Sequence, residues 1–194
     1  MGARAEILSC PNCGAALKLD QKTCDYCGSP VLITTFSDLG AMGLPTVSKY
    51  ARSYEGMSGA GGEVNKALGL CCLKLKLYDK AIAAFERAID ANLSDSEVYF
   101  YAAAALLKGK KPFLHLRPTI DKIVEYLNTA IMLEDRGIYH YFLAYIKKDY
   151  FARKRFRIEV GWEEELQASA RMTNANEKKY LSELLCLYNE IMVL

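Results

Sequence analysis

No stretch of this 194-residue chain is apolar for the roughly 20 residues that crossing a bilayer requires, and the opening MGARAEILSC has no apolar core of the length a secretory signal needs. The expectation is a soluble, cytoplasmic protein with no membrane partner. Met1-Gly2 does not continue into a myristoylation signal, because Glu6 stands where Ser or Thr is wanted. An excess of one charge is missing as well: 25 Lys and Arg against 23 Asp and Glu leave a formal net charge of +2. That balance calls for no polyanion, so any nucleic-acid contact has to rest on a local patch.

Histidine is scarce, and His115 and His140 are the two present. No His-Glu-x-x-His, no Gly-x-Ser-x-Gly and no phosphate-cradling glycine loop occurs. GAGGEVN follows a helical pattern rather than a strand and lacks the closing Lys-Ser/Thr, so it reads as a flexible joint. Carboxylates such as Asp79 and Glu86 fall on helix faces that are expected to carry charge, and nothing selects them as an acid-base pair. The chain is therefore expected not to be an enzyme.

Seven cysteines are present, an odd number that argues against a complete disulfide framework. Cys71, Cys72 and Cys186 lie in apolar helical stretches, where cysteine acts as a small buried hydrophobe. Cys10, Cys13, Cys24 and Cys27 form a spaced quartet, CPNCG and CDYCG. Two thiolates three positions apart face one ion when the backbone between them turns tightly, and Gly14 and Gly28 stand where that turn needs unusual dihedrals. Pro11 fixes the first turn, ALKLDQKT reads as strand, turn at Asp20-Gln21-Lys22 and return, and VLITT reads as a further strand. The pattern resembles a zinc ribbon. Four sulfur ligands fill a tetrahedral Zn2+ and leave no position for water, which makes the metal structural. A four-thiolate iron centre of the rubredoxin kind, or a redox pair of Cys-x-x-Cys motifs, would use the same residues. About thirty residues bury too little apolar surface to fold alone, and metal binding supplies the deficit.

The remainder reads as helix. Residues 36–62 are glycine-rich punctuation around TVSKYARSYE. From Asn65, the residues Leu68, Gly69 and Cys72, then Tyr78, then Ala81, Phe85 and Ala88 follow the spacing of a tetratricopeptide repeat, where small residues let two helices pack closely. The stretch resembles that family, with departures at Asn65 and Cys72, where an aromatic is usual, and at Leu93, where proline is usual. One 34-residue period later Tyr99, Ala102 and Ala103 recur, with Leu127 and Ala130 in register once an insertion in KGKKPFLHLRP is allowed. A third unit starts near Ile138 with Tyr141 and Ala144. One period back from Phe85 and Ala88 lie Ala51 and Tyr54, so TVSKYARSYE suits the second half of a degenerate leading unit. WEEELQASARM is the third unit's second helix, and Leu181, Leu184, Leu185 and Tyr188 give a capping helix.

The expected fold is mainly α: a tetratricopeptide-like helical solenoid with a small N-terminal β zinc ribbon, divided into a ribbon at 5–35, a linker with a packing helix at 36–62 and a repeat domain at 63–194. The family resemblance implies a concave groove lined by the first helices, here Lys66, Leu70, Lys74, Tyr101, Lys108, Tyr139, Phe142 and Tyr150, although the same positions also suit packing between helices. Such a groove takes a peptide or helix with acidic and apolar side chains. Leu70 stands where the chaperone-tail clamps of this family carry asparagine, which argues against that specialisation. Two basic clusters stand out: Lys108, Lys110, Lys111, Arg117 and Lys122 beside Phe113 and His115, and Arg153, Lys154, Arg155 and Arg157. The second is followed by Glu163, Glu164 and Glu165, so internal pairing or a solvated face is expected there rather than a nucleic-acid footprint. Two functions follow: a non-enzymatic protein-binding adaptor with a structural zinc ribbon, or a nucleic-acid-associated factor contacting RNA or DNA through ribbon and basic loop. The partner's identity is not written in the sequence.

Overall fold

The computed structural model describes residues 9–17, 21–57, 61–92, 94–170 and 172–187. The chain divides into two compact units, Met1–Leu93 and Ser94–Leu194. The described residues form eight α-helices with short 3-10 turns and one π-helical turn. None of these helices is long and apolar enough to cross a membrane.

The first unit carries the cysteine quartet, a 3-10 turn over Phe36–Leu39, and helices α1 (Leu44–Glu55), α2 (Gly62–Lys74) and α3 (Tyr78–Ala91). Thr35 and Asp38 close a reciprocal capping box on the 3-10 turn, and Pro45 starts α1 where its missing N–H has no cost. Helix α1 packs on α2, and α2 on α3. The α2–α3 seam depends on Gly69: a Cβ there would stand 2.4 Å from Cε1 of Phe85, whose ring is fully buried. Asn65, an unusual buried residue for this place, bridges its turn: its amide donates to the Gly61 carbonyl at 2.9 Å and its oxygen accepts from Arg87 Nε at 3.1 Å. Helix α2 ends on Lys76 at φ +59, with Leu77 N–H donating to the Cys72 carbonyl at 2.9 Å. That is a Schellman termination with lysine in the place glycine usually takes.

The second unit contains α4 (Ser96–Leu106), α5 (Arg117–Leu133), α6 (Gly137–Ile146), α7 (Trp162–Ala170) and α8 (Ala175–Leu184). Helix α6 runs straight on into the π-helical turn Lys147–Ala152. Helix α4 packs on α5, and α6 packs on α5, α7 and α8. Asp95 caps α4, and Asn174 with Glu177 forms a capping box on α8.

Two pairs, α2 with α3 and α4 with α5, divide the work the same way. Helices α3 and α5 bury one stripe, Ala81, Ala84, Phe85 and Ala88 in α3 and Ile120, Ile123, Leu127 and Ala130 in α5. Helices α2, α4 and α6 are buried nearly all round, as their apolar sequences require. The helix pairs are compatible with the repeat reading.

The expected β ribbon takes another form. Among the described residues there is no strand; the N-terminal segment holds two isolated antiparallel bridges, Ser9 with Ala16 and Thr23 with Pro30. Each Cys-x-x-Cys turn fixes so much of its flanking backbone that one bridge closes it, and the segment is a metal-binding knot rather than a sheet. The turn expected at Asp20-Gln21-Lys22 lies partly outside the described residues, as do Leu93 and Tyr188.

Candidate metal centre

The two cysteine turns are built alike. Gly14 N–H donates to the Cys10 carbonyl at 2.8 Å and Cys10 N–H to the Ala15 carbonyl at 2.8 Å. In the second turn Gly28 N–H reaches the Cys24 carbonyl and Cys24 N–H the Ser29 carbonyl, both at 2.9 Å. Gly14 at φ +75 and Gly28 at φ +66 supply the left-handed step that the turn demands.

These turns bring all four sulfurs within 4.8 Å of one another. Cys10 and Cys27 Sγ are 3.7 Å apart, as are Cys13 and Cys24. A tetrahedron with Zn–S bonds of about 2.3 Å has S···S edges of about 3.8 Å, whereas a disulfide needs about 2.05 Å. The geometry is that of four ligands to one ion. The donor set suits a structural Zn2+, because four thiolates complete the coordination sphere.

Cys10 and Cys24, each 2% exposed, join Leu17 and Val31 in a small apolar core, while Cys13 and Cys27 stand at the surface. Asn12 ties the turns together by donating to Ser29 Oγ at 2.8 Å. The Ser29 hydroxyl and backbone lower the Cys27 thiol, whereas Cys13, against the pull of its Ala15 backbone bond, is pushed up by desolvation and by the other three thiols, so the quartet shares its protons as one set until a metal displaces them.

The segment leaving the ribbon is held by α1. Tyr50 donates its phenol to the Pro30 carbonyl, and Tyr54 donates to the Val31 carbonyl at 2.9 Å while accepting from Ile33 N–H at 3.1 Å. Burial raises Tyr50 to about 12 and raises Tyr54 further, so both remain protonated donors. Their i, i+4 spacing on α1 puts both hydroxyls against one extended segment. Sequence reasoning assigned Tyr54 to a repeat position and missed this second role; the paired tyrosines were the available signal.

The eight groove positions separate by exposure. Leu70, Tyr101, Tyr139, Phe142 and Tyr150 are buried. Phe100 stacks tilted or edge-on with Tyr101, Tyr139 and Phe142, and the Tyr101 hydroxyl meets that of Tyr180 on α8 at 2.9 Å. Tyr139 is anchored by Ser96 and by Arg136. Lys66 and Lys74 are half-exposed and Lys108 exposed, and Lys74 Nζ sits 5.6 Å from the centre of the Phe36 ring. The apolar members thus form core in this structure, and the lysines reach solvent.

Cys71 and Cys72 are buried, and burial pushes their thiols up to about 12 and about 11, the behaviour of inert packing residues. Glu165 departs from the expected pairing with Arg153–Arg157. It bonds Lys147 Nζ at 2.6 Å and His140 Nδ1 at 2.7 Å, while His140 Nε2 meets Asp135 at 2.9 Å. Lys147 and Glu165 are both buried, so α7 is pinned to the end of α6 by a charged network that composition does not reveal.

Residues 9–31 match the family model of the zinc-ribbon domain. No curated protein and no solved structure matches the chain. The ribbon is therefore the part of this molecule with a known class: a four-cysteine zinc-ribbon module at the head of a mainly helical chain.

Proposed function

We propose that the protein is a non-enzymatic adaptor that binds a segment of another protein on tetratricopeptide-like helix pairs, with the zinc ribbon as a structural module fastened to the first helix. One combination of features carries this reading. A closed four-thiolate site leaves no coordination position for a substrate, and it precedes helix pairs of which the first, α2 with α3, has its seam built on a small residue, Gly69 under Phe85. Repeat proteins use such seams to present extended binding surfaces. In the first unit, Lys66 and Lys74 are the expected groove positions that reach solvent and would supply cationic contacts there.

The test is affinity capture from lysate with and without nuclease. Retention of the same protein partners after nuclease supports the adaptor; loss of all of them favours the nucleic-acid reading.

A further inference from the structure

Parts of the two basic clusters, far apart in sequence, meet in the second unit. Phe113, in the 3-10 turn Pro112–Leu114, donates its N–H to Asp149 of the π-helical turn at 2.8 Å. The Arg153 guanidinium lies 4.1 Å from the centre of the Phe113 ring, and Lys154 Nζ lies 5.0 Å from Phe113 and 3.9 Å from Tyr150. Arg117 stands over Phe151 at 5.0 Å and Phe156 at 5.3 Å. Aromatic faces therefore hold three cations in fixed directions. Arg153 also pairs with Asp149 at 3.3 Å and Arg117 with Asp121 at 2.6 Å, so the excess positive charge comes from Lys154 with the exposed Lys110, two residues before Pro112, and the exposed Arg155 and Arg157. Beside them Leu114 and Leu116 project into solvent, 67% and 78% exposed.

We infer that this surface binds an acidic peptide segment carrying apolar side chains. The charge calls for an anion, and the identity of the anion follows from the rest of the chemistry. Bases of a single-stranded nucleic acid would need a ladder of free aromatic faces, and here each ring has a cation over it, Tyr150 and Phe151 are buried, and Phe156, 45% exposed, is a single ring rather than a ladder. A phosphate backbone offers nothing to Leu114 and Leu116. A fluid anionic bilayer would satisfy both kinds of group, but it gains nothing from cations held in place. Carboxylates on a chain benefit from that pre-organisation, and leucine-sized side chains between them would cover the exposed pair. The inference rests on the adaptor reading and names its partner class.

The experiment is fluorescence anisotropy of the full zinc-loaded chain with a labelled peptide of repeated Asp-Glu-Leu units. The comparators are a poly-Glu peptide of equal charge, an oligothymidylate and phosphatidylserine vesicles. The peptide is expected to bind best. Leu114→Ser with Leu116→Ser, both at exposed positions, is expected to weaken it by about tenfold or more. Lys110→Glu with Lys154→Glu is expected to abolish binding, with far-UV circular dichroism unchanged. If the charge variant loses helix, Lys110→Glu alone, at an exposed loop position, must still weaken binding by several-fold. Failure of the Asp-Glu-Leu peptide to bind, tighter binding of oligothymidylate or vesicles, or indifference to both variants overturns the proposal. Nuclease-resistant partner capture in the presence of any of those results leaves the adaptor reading standing without this surface.

Discussion

Single residues decide the two tightest places in the molecule. Alanine in place of Gly69 gains about 1 kcal/mol of helix propensity, yet its methyl would stand 2.4 Å from the buried Phe85 ring. Overpacking of this kind costs about 1–3 kcal/mol, so Gly69→Ala is expected to lower stability in urea unfolding, and Phe85→Leu added to it should cost less than the two changes summed. Glu165 is the other case. Its removal leaves Lys147 buried without its 2.6 Å partner, and Glu165→Ala is expected to lose about 3–5 kcal/mol by the same measurement. Gly69 was legible from the repeat spacing, because a small residue recurs where two helices must touch. Glu165 was not, because three consecutive glutamates look alike in sequence and only the fold turns one of them inward.

Helices and their ends carry the next level. The 3.6-residue stripes of α3 and α5 were readable, and so was the helical character of α1, because those faces alternate with solvent. The all-round burial of α4 and α6 was less readable: SEVYFYAAAAL and GIYHYFLAYI have apolar residues on every side, so sequence does not say which faces meet core. The strands expected in the ribbon reduce to single bridges for a related reason, since β-branched composition in VLITT reports burial rather than pairing. Three terminations share a device that propensity does not predict. Lys76, Arg155 and Cys186 all adopt positive φ, each followed by a residue whose N–H reaches five positions back. Lys76→Gly is expected to stabilise by about 0.5–1 kcal/mol in thermal or urea unfolding, since glycine meets no steric penalty there.

The connection between α4 and α5 adds a pH dependence. His115 Nε2–H donates to the Leu107 carbonyl at 3.0 Å. Its pKa is lowered first by burial and then by Lys110 and Lys108, with the Leu107 carbonyl acting in the opposite direction. A depressed histidine binds its proton less readily folded than unfolded. Its contribution is therefore complete above the unfolded value of about 6.5 and is lost as pH falls below it. The urea midpoint is expected to fall between about pH 7.5 and pH 5.5, and His115→Gln should flatten that change.

At the scale of the molecule, the ribbon is a module that metal must fold and that α1 then holds. Structural zinc in comparable small sites is worth about 10–16 kcal/mol at neutral pH, far more than the apolar core of Cys10, Leu17, Cys24 and Val31 can supply. The tyrosine clamp adds its own share. Tyr54→Phe leaves the Val31 carbonyl and Ile33 N–H without their partner and is expected to cost about 1–3 kcal/mol. The quartet was legible down to its ligands because the spacing alone dictates the turns. The clamp was not, because its acceptors are backbone carbonyls that carry no sequence signature.

The measurement that bears most directly on this account is amide hydrogen exchange of the zinc-loaded protein against the same protein after chelation. The amides of Cys10, Gly14, Cys24, Gly28 and Val31, all hydrogen-bonded in the folded ribbon, are expected to lose protection when metal is removed, and Ile33 N–H should weaken with them. Amides within α4, α5 and α6 are expected to exchange as before. Undiminished protection of the cysteine turns after chelation would contradict the claim that metal folds the ribbon.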